Sequence, residues 1–149
     1  MKHTSLLLAA IAIVMVSCGN KQPKLDFTDP TVAHYDSLTI VDTNDLGGPS
    51  TVVYHSADTQ FVRQYYSDHS LRCQGTVVGG LREGHWVFYF YGGNIQAEAT
   101  YVAGLEEGPY RVYRENGAPY YIGQYKDGIP TGTWEVYDPE GNLVQKQEY

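Results

Sequence analysis

Beyond residue 18, the side chains best able to do chemistry are His34, His55, His69 and His85 and a scatter of carboxylates. A zinc site needs converging ligands, most simply two histidines four apart on one helix face. No pair among these four has that spacing. Glu83, Glu106 and Glu107 fall near expected loops, and Glu135, Asp138 and Glu140 near the last hairpin. Two carboxylates across a sugar could serve as acid and nucleophile, but charges along a sheet edge more simply keep sheets from pairing. The chain has no Gly-x-Ser-x-Gly elbow, phosphate loop or dinucleotide fingerprint. The expectation is a protein without catalytic activity, metal or cofactor.

What remains is the chemistry of aromatic rings, and they recur with a period of 24 residues. Trp86, Tyr110 and Trp134 form one column, Phe88, Val112 and Val136 the next, and Tyr89, Tyr113 and Tyr137 a third. Glycines keep the same interval: Gly84, Gly108 and Gly132; Gly93, Gly117 and Gly141; Gly104 and Gly128. Tyr101, Tyr125 and Tyr149 stand between them. Self-similarity at this spacing marks a repeat architecture. The unit from Phe61 fits through Tyr65, Leu71, Val77, Gly80, Glu83 and Gly84, whereas 37–60 lose the glycine columns and read as a degenerate or capping unit.

The elements that must carry these columns are strands. In Trp86 to Tyr91 and Ile95 to Tyr101 alternate residues point to opposite faces. Gly92-Gly93, Asn116-Gly117 and Glu140-Gly141 suit tight hairpin turns, and Gly104 and Asp127-Gly128 the wider loops. Short connections give a meander in which each unit adds two strands. The fold expected is all-β, an elongated single-sheet antiparallel meander of hairpin repeats. Trp86, Tyr110 and Trp134, and likewise Tyr89, Tyr113 and Tyr137, are expected to stack as ladders, each cross-strand pair contributing about 0.2–1 kcal/mol.

The amino-terminal residues follow another pattern. Lys2 precedes an apolar run of 11 residues, Leu6 to Val16, which ends at Ser17-Cys18. Such a run is shorter than the roughly 20 residues of a spanning helix and reads as a signal peptide over 1–17. The placement of Cys18 resembles the lipobox of bacterial lipoproteins, which implies lipid attachment at Cys18, and several acyl chains give stable anchoring. Residues 18–36, rich in polar and turn-forming types, read as a flexible tether. Gly19 and Asn20 bring no acidic sorting signal, which in lipoproteins implies the outer membrane, facing the periplasm.

The formal charge is −7, and removal of Lys2 with the signal makes it −8. That balance argues against nucleic acid, which needs clustered basic residues, and against electrostatic docking on anionic lipid. With Cys18 lipidated, Cys73 has no partner for a disulfide and is expected as a buried, unreactive thiol. A transmembrane barrel is not expected either. Arg111 and Glu135 share one strand position, and the last strand is polar on both faces.

From about Phe61 to Tyr149 the chain resembles the MORN-repeat proteins, in particular the bacterial variant grouped as YwqK-family antitoxins. The resemblance rests on Gly84-His85-Trp86-Val87-Phe88-Tyr89, Gly108-Pro109-Tyr110-Arg111-Val112-Tyr113 and Gly132-Thr133-Trp134-Glu135-Val136-Tyr137. It implies a curved antiparallel sheet over 61–149 used for attachment, dimerisation or scaffolding. Two binding roles follow. One is a scaffold that holds an envelope protein by an aromatic face, a toxin if the antitoxin association applies. The other is a glycan or peptidoglycan binder using Trp86, Trp134 and the Tyr120-Tyr121 pair as stacking platforms. Tyr91, Arg114, Tyr120 and Tyr121 vary between units and are the candidate binding residues. The free last strand near Tyr149 offers self-association by edge pairing.

Overall fold

The computed structural model describes residues 29–43 and 49–149; the expected signal peptide, Cys18 and residues 44–48 lie outside them. Among the described residues the strands are β1 (Ser37–Thr43), β2 (Pro49–Ser56), β3 (Thr59–Tyr65), β4 (Leu71–Val78), β5 (Leu81–Tyr89), β6 (Ile95–Val102), β7 (Leu105–Tyr113), β8 (Pro119–Lys126), β9 (Ile129–Tyr137) and β10 (Leu143–Glu148). They form one open antiparallel sheet in sequence order, the all-β meander that the period implied.

Turn lengths are exchanged relative to expectation. From β4 onward the tight two-residue turns are Gly79-Gly80, Ala103-Gly104 and Asp127-Gly128, each with both φ angles positive, whereas the earlier Ala57-Asp58 turn has only Ala57 there. Gly93, Gly117 and Gly141 instead close five-residue loops, in which Phe90 N donates to Asn94 O and Gly93 N to Phe90 O. Tight hairpins need two left-handed residues to match strand twist, and the second class of connection needs one. Ala103, at φ 49°, carries a Cβ in that region. Ala103→Gly should therefore raise stability by about 0.5–1 kcal/mol, and an unchanged denaturation midpoint would contradict this.

Gly84, Gly108 and Gly132 have a different use. Each has positive φ inside a strand, where the register slips: Gln74 pairs with Val87 but Thr76 with Glu83. The slip recurs between β6 and β7 and between β8 and β9. These bulges bend the strand two residues before each column ring. A second bulge recurs at Arg72, Gln96, Tyr120 and Val144, which stand unpaired in their ladders.

Two packed layers hold the sheet, on opposite faces. Phe61 belongs to a cluster with Val32, Tyr35, Val52 and Tyr54, while its neighbour Val62 packs against Cys73, Trp86, Ala99 and Tyr101. Successive strand residues point to opposite sides, so the core crosses the sheet at β3. The first layer corrects the reach of the tether. Residues 29–36 turn back onto the sheet, with Val32 fully buried and Asp36 N donating to His55 O. Asp29 fixes this turn, since its carboxylate accepts Thr31 N at 2.9 Å and pairs with Arg63 at 2.6 Å. Val32 and Tyr35 cover an apolar patch that a free tether would have left wet.

That clasp predicts a pH dependence. The Arg63 hydrogen bond, helped by those from Thr31, lowers the Asp29 pKa to about 2. The folded value lies below the unfolded 3.8, so the stabilisation is present above pH 3.8 and is lost as pH falls towards 2. With solvent screening of a partly exposed pair, Asp29→Asn should cost about 1 kcal/mol at neutral pH and only a small part of that near pH 2, where about half of the carboxylate is already protonated. Equal losses at both pH values would contradict the assignment.

Candidate binding face

On the face opposite Val32, the strands that carry the column rings are not neighbours. Trp86 and Tyr110 both pair across Ala99, and Tyr110 pairs across to Gly123. Equivalent strands of successive units are about 9–10 Å apart, because one strand lies between. The expected ladder of Trp86, Tyr110 and Trp134 is corrected accordingly. Tyr110 and Trp134 meet at 5.9 Å, while Trp86 meets Phe88 at 6.2 Å and Tyr101 at 6.4 Å. The rings reach sideways over small residues. A Cβ on Gly75 would lie 2.2 Å from the Trp86 ring, and one on Gly123 2.3 Å from Trp134. Gly75, Ala99 and Gly123 thus form a column of their own, unnoticed in the sequence although its period is the same.

Nor do Tyr89, Tyr113 and Tyr137 stack; among the described residues no ring pair joins them. Each is held by its hydroxyl. Gln74 Nε2 donates to Tyr89, Tyr113 donates to Glu98, and Tyr137 donates to Glu135. They belong with a polar face. Across its strands run Val87, Glu98, Arg111, Ile122, Glu135 and Lys146 in register. The carboxylates expected in loops also have structural work: Glu83 accepts Ala103 N and Glu107 accepts Asp127 N, tying each tight turn to the one before.

The aromatic face changes along the sheet. Around Trp86 it is sealed: the ring is 3% exposed and its Nε1 donates to Thr76 O at 3.0 Å. This removes Trp86 as a platform for a sugar. Around Trp134 the face is open, with a shallow concavity of about 310 Å³ lined by Tyr110, Tyr121, Tyr125, Pro130, Trp134 and Tyr149 among others. Tyr125 meets Tyr110 at 5.2 Å and Trp134 at 5.1 Å, both edge-on, and Tyr149 closes the far side 6.1 Å from Trp134. The Trp134 Nε1 is buried and, among the described residues, has no hydrogen-bond partner. Burial pushes the Tyr110 and Tyr125 hydroxyls up, and nearby Glu106 adds to the shift. Both phenols are neutral at physiological pH.

Of the candidate binding residues, three come together. The Arg114 guanidinium lies 4.1 Å from the Tyr120 ring centre, and Tyr120 and Tyr121 are 4.2 Å apart because Tyr120 is a bulge residue. Arg114 also donates to Tyr137 O at 2.8 Å, so it braces the neighbouring unit. Tyr91 stands apart, 57% exposed and against Tyr66. The histidines remain scattered: His55 contacts Thr39, and His85 lies 3.6 Å from Glu98. Cys73 is 3% exposed, and burial raises its thiol pKa.

These hairpins can now be set beside known families. Residues 82–103, 106–127 and 130–149 match the MORN repeat variant. Each MORN repeat variant segment is one hairpin: β5 with β6, β7 with β8, β9 with β10. The segments open at Arg82, Glu106 and Pro130, two residues before the bulge glycine and four before the column ring. No curated protein matches the chain. The β3–β4 hairpin lies outside the three MORN repeat variant segments yet keeps their carboxyl-side bulge, at Arg72.

Proposed function

We infer that this protein is a non-catalytic scaffold whose aromatic face over β7–β10 binds a partner protein. The observation behind the reading is the crossing of the core. Residues 29–36 cover one face at β1–β3, Arg82 covers the other at β5, and among the described residues nothing covers the aromatic face beyond it. A half-buried cluster of Tyr and Trp is the composition from which binding anchors are drawn. The reverse face, with its rows of paired charge, is suited to water.

The sequence around Cys18 supports the rest of the proposal. A lipid on Cys18 would hold the sheet at the bacterial outer membrane, facing the periplasm, and the partner would be another envelope protein. A toxin is one such partner, by the antitoxin association of the family that the repeats resemble. The glycan reading draws less support, since Trp86 is sealed and the rings near Trp134 meet edge-on instead of offering flat platforms.

A photoreactive residue placed at Tyr121 or at Ile122 tests this on successive positions of one strand. Crosslinking in the native envelope should give a single stoichiometric protein adduct from Tyr121 and none from Ile122. Equal adducts from both, or none from either, would contradict the one-sided reading. Cys18→Ser should release the protein from the membrane fraction; retention there would refute the anchor.

A further inference from the structure

The three matched hairpins are internal copies, and one of them shows what the open face is shaped to take. In the first copy Arg82 lays its guanidinium over the rings, with Cζ 4.6 Å from the centre of Trp86, 5.2 Å from Tyr101 and 5.4 Å from Phe88. Its Nη1 donates to the Tyr101 hydroxyl at 3.2 Å. A cation over several ring faces is attracted by their quadrupoles, most strongly where water is displaced. One period later the same position is Glu106, and two periods later Pro130. The rings beneath persist as Tyr110 with Tyr125 and Trp134 with Tyr149, but among the described residues no guanidinium lies over them.

The geometry points to the cup of Tyr110, Tyr125, Trp134 and Tyr149 as a receptor for an arginine side chain of the partner protein, an assignment that rests on the scaffold reading above. The nearby charges leave room for it. Glu106, which also acts on the Tyr101 hydroxyl, adds to the shift of the Tyr110 and Tyr125 hydroxyls. Arg114 acts on Tyr121 at the other edge but lies on the Tyr120 ring, and no residue lining the cup is itself cationic. The chain's formal charge of −7 favours a basic segment over an acidic one. The occupant is thus the chemical group that Arg82 presents in the first copy, supplied from outside.

The test uses the full-length protein and two blocked pentapeptides, Gly-Arg-Gly-Arg-Gly and its citrulline counterpart, which keeps the shape and loses the charge. Binding is read from tryptophan emission and by calorimetry. The arginine peptide should bind saturably and about tenfold more tightly than the citrulline peptide. Glu106→Gln should weaken it several-fold. Pro130→Arg, which restores the chain's own guanidinium, should abolish binding while the protein stays folded.

Equal affinity for both peptides, or undiminished binding to Pro130→Arg, would overturn the assignment. So would binding of phosphatidylcholine vesicles to the cup without response to arginine, which would indicate a lipid headgroup. If arginine fails while the Tyr121 crosslink survives and is lost in Tyr149→Asp, the guanidinium assignment falls and the scaffold reading stands. If both fail, the scaffold reading falls with it.

Discussion

Trp86→Ala should lower stability by about 3–5 kcal/mol, the cost of emptying a fully packed ring site. Its side chain is 3% exposed, lies over Gly75, and fills the space between Cys73, Ala99 and Tyr101. Removing it also frees the Thr76 carbonyl and strips Arg82 of its stacking surface. The thermal midpoint should fall by roughly 10–15 °C for a domain of this size. Trp134→Ala, at the same position two units later, should cost about 1–2 kcal/mol, because that ring is only partly buried and its Nε1 has no partner to lose among the described residues. Chemical denaturation of the two variants checks the difference. Equal losses would mean that the two ends of the aromatic face are packed alike.

The second large effect comes from adding atoms. Gly75→Val places a branched carbon where the Trp86 ring already lies, since even a Cβ would approach the ring to 2.2 Å. The neighbour is a rigid indole, not the end of a flexible chain, so strand or ring must shift, at a cost of about 3 kcal/mol or more. Gly123→Val meets Trp134 in the same way, but that ring has open space to move into and the loss should be smaller. Gly92→Ala serves as the control. Nothing lies within 4 Å of its Cβ position and its φ is not left-handed, so stability should hardly change. Urea midpoints of the three variants should rank Gly75→Val lowest and Gly92→Ala nearest to wild type. A neutral Gly75→Val would refute the claim that small residues make room for the rings.

The architecture was legible because the constraint repeats. A glycine at one bulge or turn says little, but Gly84, Gly108 and Gly132 in one column imply a backbone position that needs a left-handed residue each time. The neighbours of the rings were harder to read, because a 24-residue column looks like adjacency while the sheet places another strand between its members. The signal for the true contact was the small-residue column Gly75, Ala99 and Gly123, whose packing role appears only once register is known. The reach of the tether failed for a different reason. Asp29, Pro30 and Thr31 have the composition of a linker, and only tertiary packing of Val32 and Tyr35 reveals the turn as part of the core.

At the binding face, sequence variation between units pointed to Arg114, Tyr120 and Tyr121, which do meet, and to Tyr91, which does not join them. It passed over the most informative variation, Arg82 against Glu106 and Pro130. That contrast acquires meaning only when Arg82 is seen lying on Trp86. Rings that look equivalent as letters therefore differ in whether the chain covers them.

Acrylamide quenching of tryptophan emission tests the openness of that face most directly, because the chain has only two tryptophans. In the folded wild-type protein one fraction of the emission should be readily quenched and the other protected. Trp134→Phe should remove the accessible fraction and leave a blue-shifted, protected signal from Trp86. If the Trp134→Phe protein keeps the accessible fraction, or if the wild-type protein has none, the aromatic face over β7–β10 is not the open surface on which the binding role depends.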